Sequence, residues 1–102
     1  MSFTVKSRLG VIIKLPEERW NLIINVKHRY MKGKEYLVKS TLEDPDEVRR
    51  SQSDLRVYLY YKKIDKYFLC AVIKHLNSEG FVITAYLTDK IKEGETIWQK
   101  QK

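Results

Sequence analysis

Residues 57–88, VYLYYKKIDKYFLCAVIKHLNSEGFVITAYLT, repeat apolar and β-branched side chains with a period of two in three successive runs. The runs are Val57 to Lys63, Lys66 to His75 and Gly80 to Thr88, parted by polar joints at Asp65 and at LNSEG. Joints this short connect antiparallel neighbours, because a parallel pair needs a crossover of about a dozen residues or more. Alternation then assigns the faces. Phe81, Ile83, Ala85 and Leu87 fall on one side, with Leu69, Ala71 and Ile73 and with Val57, Leu59 and Tyr61. The other side gathers Tyr58, Tyr60, Lys62, Lys74, Thr84 and Tyr86. Helices are expected to cover the first set and solvent to meet the second.

Upstream, the short β-like runs FTVKS and VIIKL flank Arg8, Leu9 and Gly10, which predicts a small N-terminal hairpin. At Pro16 the period changes. Proline suits a first helical turn, Glu17 and Glu18 suit its positive dipole end, and Trp20, Ile23, Ile24 and Lys27 follow at helical spacing, which predicts a helix from about Pro16 to His28. After Gly33 a second helix is expected over Glu35 to Leu42, ending at Asp44-Pro45 because proline disfavours the helical region for its predecessor. The expected fold is α+β, a single domain over residues 1–102 with two N-terminal helices packed on one face of an antiparallel sheet of three to five strands. In the tail, Gly94 suits a turn and Trp98 is expected to anchor the chain end on the core.

The 102 residues, 43% apolar and 32% charged, are those of one globular domain, and no apolar run is long enough to span a bilayer. The formal charge of +7 favours anionic partners, RNA among them, although solubility alone accounts for a charge of this size. A lone Cys70 with no disulfide partner points to a cytoplasmic protein, and the start of the chain carries no pattern of a cleaved signal. Two histidines and one cysteine offer no metal-ligand spacing, and no cofactor is expected.

An exposed face mixing tyrosines with lysines suits RNA, since bases stack on rings while cations meet phosphates; a half-solvated sheet face of any kind carries the same residues. The segment EDPDEVRRSQSD, residues 43–54, reads as a helix stop followed by a short helical turn capped by Asp46. That turn brings Arg49, Arg50 and Ser51 to the sheet edge, where arginine's planar fork matches phosphate. Capping of helix carbonyls, or pairing with Glu47 or Asp54, is the structural alternative for these arginines.

ERW opening a helix, DPDEVRRS after the second helix, then YLYYKK, YFLCAVIK and GFVITAYLTDKIKEGETIW resemble the phage and bacterial nuclease-like family of the barnase/EndoU/colicin/RelE-like ribonuclease superfamily. The resemblance spans residues 16–98. It implies a small helix-plus-sheet domain, a metal-independent endoribonuclease activity of toxin-like or phage-associated kind, and a small acidic antitoxin-like protein as partner. Such cleavage needs a base, an acid and cations for the phosphorane. The candidates are Arg50, Lys74, Thr84, Tyr86 and His28 for catalysis, with Arg49, Ser51, Tyr58, Tyr60 and Lys62 for RNA and phosphate. In the family pattern another histidine follows the ERW tryptophan and a proline follows the later one; beside His28 the chain has Leu22 and Arg29 at those places. No Asp or Glu lies on the expected open face, so a barnase-like carboxylate base is missing. A noncatalytic RNA- or protein-binding domain is the alternative.

Overall fold

The computed structural model describes residues 3–91 and 93–101. Their strands are β1 (Phe3–Lys6), β2 (Ile12–Leu15), β3 (Glu47–Arg50), β4 (Val57–Ile64), β5 (Tyr67–Leu76), β6 (Glu79–Thr88) and β7 (Glu95–Gln99), joined in one sheet of order β1-β2-β6-β5-β4-β3-β7. The expectation of two helices on an antiparallel sheet of three to five strands is thus corrected. The sheet has seven strands and is mixed, since β2 runs parallel to the start of β6 with Ile13 opposite Gly80. Gly80 is required there: a Cβ would stand 2.6 Å from the Lys74 carbonyl oxygen and 3.0 Å from Ile13.

Two strands were hidden by their side chains. β3 lies within the segment read as a helical turn; Glu47 and Arg49 pair side by side on one face while Val48 is buried on the other. β7 is a short polar strand that pairs only with β3. Its Trp98 packs against the core as expected, under the Arg8 guanidinium at 5.1 Å.

The first helix is also shorter than expected. α1 spans Glu17–Leu22, after which the chain widens into a π-helical turn, Ile23–Lys27, closed by the His28 amide donating to the Ile23 carbonyl at 2.6 Å. A 3-10 turn, Arg29–Met31, follows, and α2 runs Glu35–Glu43. β-branched Ile23, Ile24 and Val26 crowd the preceding turn and weaken a regular α-helix. α1, the π turn and α2 bury Trp20, Ile23, Val38 and Leu42 against Ile13, Leu15, Val48, Tyr60, Leu69, Ala71, Ile73, Val82 and Ala85 of the sheet.

The faces of β5 and of the end of β6 follow the expected alternation, but β4 is inverted. Ile64 and Tyr67 close a two-residue turn in which Asp65 takes φ 57°, a conformation that Asp tolerates better than most residues. This register sets Tyr58 opposite Ile73, Tyr60 opposite Ala71 and Lys62 opposite Leu69, all on the helix-covered side. A shift of one residue moves every side chain of a strand to the other face. Leu59 and Tyr61 therefore lie on the second face, opposite Val72 and Cys70. A bulge between Val72 and Ile73 leaves Ile83 unpaired, so Val82 as well as Ala85 reaches the core and Phe81 does not.

On the helix-covered side, Tyr60 donates to the Ser7 hydroxyl at 2.9 Å and lies 3.1 Å from His75 Nε2. Tyr58 stacks on the His75 ring at 3.8 Å between centroids. Burial pushes the His75 pKa down to about 4 and the Tyr60 hydroxyl up to about 12. Across the second face, the chain after β6 passes over the sheet to β7, seating Ile91 against Leu59, Tyr61 and Cys70. Arg49 Nη1 donates to the Glu93 and Gly94 carbonyls, at 3.4 and 3.5 Å, and fastens this crossover.

Two stability measurements test this arrangement. A folded His75 that resists protonation binds fewer protons than the unfolded chain between pH 6.5 and about 4, so stability is full above that window and falls as pH drops through it. The His75→Asn variant should melt with a flatter pH profile between those values; an unchanged slope would refute the assignment. Gly10 and Gly94 both have positive φ, but only at Gly94 would a Cβ collide, 2.7 Å from the Arg50 carbonyl oxygen. Gly10→Ala should cost about 1–2 kcal/mol in urea unfolding and Gly94→Ala clearly more.

Candidate nucleic-acid interface

The inverted β4 and the strand at residues 47–50 separate the expected site residues into three places. Arg50 stands opposite Tyr58 on the helix-covered side, 3.6 Å from Glu95, and its Nε is buried with no partner among the described residues. Tyr58 and Tyr60 belong to the His75 network. Lys62 donates to the carbonyl of Asp44 at the end of α2, at 2.8 Å, and pairs with its carboxylate. A cation there satisfies helix-end acceptors.

On the second face, Lys74, Thr84 and Tyr86 do share one surface, as expected, with Arg49 at its far side. The cations here are engaged. Arg49 Nε donates to Glu47 Oε2 at 2.6 Å, and that carboxylate also accepts from Thr96 at 2.7 Å and from Gln99 at 3.3 Å. Burial opposes ionisation of Glu47, but the three donors outweigh it and hold the carboxyl below its usual range. Lys74 Nζ lies 3.4 Å from Asp54, and Ser51 is turned into its own loop, accepting from the Ser53 and Asp54 amides. The Thr84 hydroxyl is buried without a partner among the described residues. Tyr86 and Tyr61 stand opposite Cys70 on the two neighbouring strands, and burial raises its thiol pKa to about 11. Burial likewise keeps the Tyr86 hydroxyl protonated, so it is a donor and not a base.

His28 joins this face from the edge. Beyond the short pairing with β2, the free edge of β6 is met by the π and 3-10 turns: the Leu87 amide donates to the Tyr30 hydroxyl at 3.3 Å. That bond satisfies an edge donor and fixes Tyr30. The His28 ring lies 5.6 Å from Tyr86 and 5.7 Å from Tyr30 between centroids, with Nδ1 3.4 Å from the Tyr30 hydroxyl. Burial, aided by the Lys27 charge, lowers its pKa, so the imidazole is neutral at pH 7.

The same turns carry the strongest unopposed charge of the described residues. Between Glu18 and Glu35 the sequence holds no acid, while Arg19, Lys27, Arg29, Lys32 and Lys34 are all basic. Lys27, Arg29 and Lys32 are exposed, and none of them, nor Lys34, pairs with an acidic side chain among the described residues. Lys34 donates to the Tyr30 carbonyl at 2.8 Å and Arg29 to that of Asn25 at 3.3 Å, which holds both cations along one ridge. Tyr30 and Tyr67, each about half exposed, line a shallow groove beside it with Lys34, Leu87, Thr88 and Asp89. Apart from His28, none of the ridge residues is marked by the period-two pattern of residues 57–88 or by the resemblance; the available signal was the acid-free basic run. Among the described residues no three His, Cys, Asp or Glu side chains cluster as a metal set, and no helix is long and apolar enough to cross a membrane.

The His28 environment can be read by NMR titration. Its apparent pKa should fall below 6.5, and Lys27→Gln should raise it by removing the adjacent positive charge; a wild-type value at or above 6.5 would contradict the geometry. Compared with family models, with curated proteins and with solved structures, the chain matches none of them.

Proposed function

We propose that the protein binds single-stranded RNA along the ridge from Lys27 to Lys34, with bases stacking on the exposed rings of Tyr30 and Tyr67. The observation that carries this reading is the coincidence, on one edge of the sheet, of half-exposed tyrosines with cations that have no acidic partner among the described residues. Sequence-tolerant binding needs that pair of features, a cationic track for the backbone and aromatic faces for bases. The second face is the poorer surface, because its cations are ion-paired to Glu47 and Asp54. A cytoplasmic location goes with this reading, as does the resemblance to the nuclease-like family.

Metal-independent cleavage of the bound RNA is the second reading, favoured by the neutral His28 ring beside Tyr86. An imidazole neutral at pH 7 accepts a 2′-hydroxyl proton, and a protonated tyrosine donates one to a leaving oxygen. Lys27 and Arg29, adjacent to His28 in sequence, supply the positive charge in place of Arg50, which faces the other side of the sheet.

Binding of a fluorescent oligouridylate across a salt series tests the first reading. Arg29→Gln with Lys32→Gln should weaken binding and flatten the log–log salt slope by about 0.7 for each phosphate that is no longer neutralised, whereas Arg50→Gln should leave both unchanged. A slope indifferent to the ridge substitutions would reject the ridge. Incubation with mixed RNA in chelator tests the second: cleavage by the wild type that His28→Ala abolishes supports it, and intact RNA with the wild type removes it.

A further inference from the structure

The groove beside the ridge contains one feature that phosphate binding does not explain. Asp89 is exposed and has no ion pair among the described residues, although Lys34 lines the same groove and Lys90 follows it in sequence. A free carboxylate repels a phosphate backbone. It is therefore suited to another part of the nucleotide, a base edge that offers hydrogen-bond donors.

The groove, of about 590 Å³, falls within the usual range of ligand-binding clefts. Tyr30 and Tyr67 supply its ring surfaces, Leu87 an apolar patch, and Thr88 and Asp89 its polar end. The Thr88 hydroxyl already donates to the Lys90 carbonyl at 3.2 Å, so its oxygen is left as an acceptor. Both polar groups at this end therefore accept. A base that fits must present adjacent donors on its Watson–Crick edge. Guanine does, with N1–H and the N2 amino group side by side, matching the two oxygens of one carboxylate. Adenine and cytosine each place an acceptor beside their single amino group, and uracil flanks its one N–H with two carbonyls, which a carboxylate repels. An arginine or lysine of a partner protein would also satisfy Asp89, but Lys34, Lys66 and Lys90 lie in or next to the groove residues and repel a basic segment.

We propose that this groove is a guanine-selective base site, in which the base lies against Tyr30 and Tyr67 and Asp89 accepts from N1–H and the N2 amino group. The proposal rests on the RNA-binding reading of the ridge and specifies the base that reading leaves open.

Fluorescence anisotropy at one salt concentration, with heptanucleotides of uridine carrying guanosine, inosine, adenosine or uridine at the centre, tests it. The guanosine form should bind about tenfold tighter than the adenosine and uridine forms, the discrimination expected of a good two-point contact. Inosine, which lacks the N2 amino group, should lose part of that preference. Asp89→Asn should abolish the preference while leaving affinity for all-uridine RNA unchanged or higher, since a repulsive charge is removed. Equal binding of all four by the wild type would overturn the base site and leave the ridge standing. No binding of any would overturn both. Retention of the guanosine preference in Asp89→Asn, with circular dichroism showing the variant folded, would overturn the role of Asp89.

Discussion

The register of β5 governs the molecule. This strand is bonded along its length to β4 on one side and to β6 on the other, and each connection is a two-residue turn, Asp65-Lys66 and Asn77-Ser78. Both turns place their first residue at positive φ, 57° at Asp65 and 60° at Asn77. Turns so short leave no slack. They determine that Tyr58 and Tyr60 join the helix-covered core, that Tyr61 and Cys70 build the second cluster, and that Tyr86 stands where His28 can reach it.

Charge is distributed as unevenly as burial. On the sheet, basic side chains meet acids: Arg49 with Glu47, Arg50 with Glu95, Lys62 with Asp44 and Lys74 with Asp54. These pairs hold strands, helix end and loops in place, and they leave little field for an external anion. Among the described residues the irregular turns after α1 have no such partners, so the net positive charge of the chain is felt most strongly there. A π-helical turn is an uncommon conformation that recurs at functional sites. Here it carries Lys27 and presents His28 to the edge of β6.

Much of the architecture was legible where periodicity was strong. The three-strand meander, the N-terminal hairpin, α2 and the inward-facing Leu69, Ala71 and Ile73 all follow from the pattern. The inversion of β4 was not legible, because Val57 to Tyr61 is apolar or aromatic in both alternating sets and one lysine follows in each: Leu59 and Tyr61 suit a core as well as Tyr58 and Tyr60 do. Tertiary pairing through the Asp65 turn decided between them. The strand at Glu47–Arg50 was obscured by charge, since Glu47 and Arg49, side by side on its second face, neutralise each other only after folding. Of the site, the common surface of Lys74, Thr84 and Tyr86 was legible. The parting of Arg49 from Arg50 was not, because adjacent residues share a helix end but take opposite faces of a strand.

The crossover from β6 to β7 bears on the order in which the chain assembles. β7 has one neighbour, β3, and between them in sequence stand β4, β5 and β6, which close on one another through short turns. Local pairings form before distant ones because a longer loop must lose more entropy to close. The edge of β3 thus waits, unpaired, until the C-terminal segment has emerged and crossed the sheet. Until that docking, Arg49 lacks the Glu93 and Gly94 carbonyls, Glu47 lacks the Thr96 and Gln99 donors, and Leu59, Tyr61 and Cys70 lack Ile91. The segment that follows β6 serves as the latch of the second core, and a chain interrupted before Glu95 exposes both an open strand edge and an apolar cluster, the combination that invites self-association.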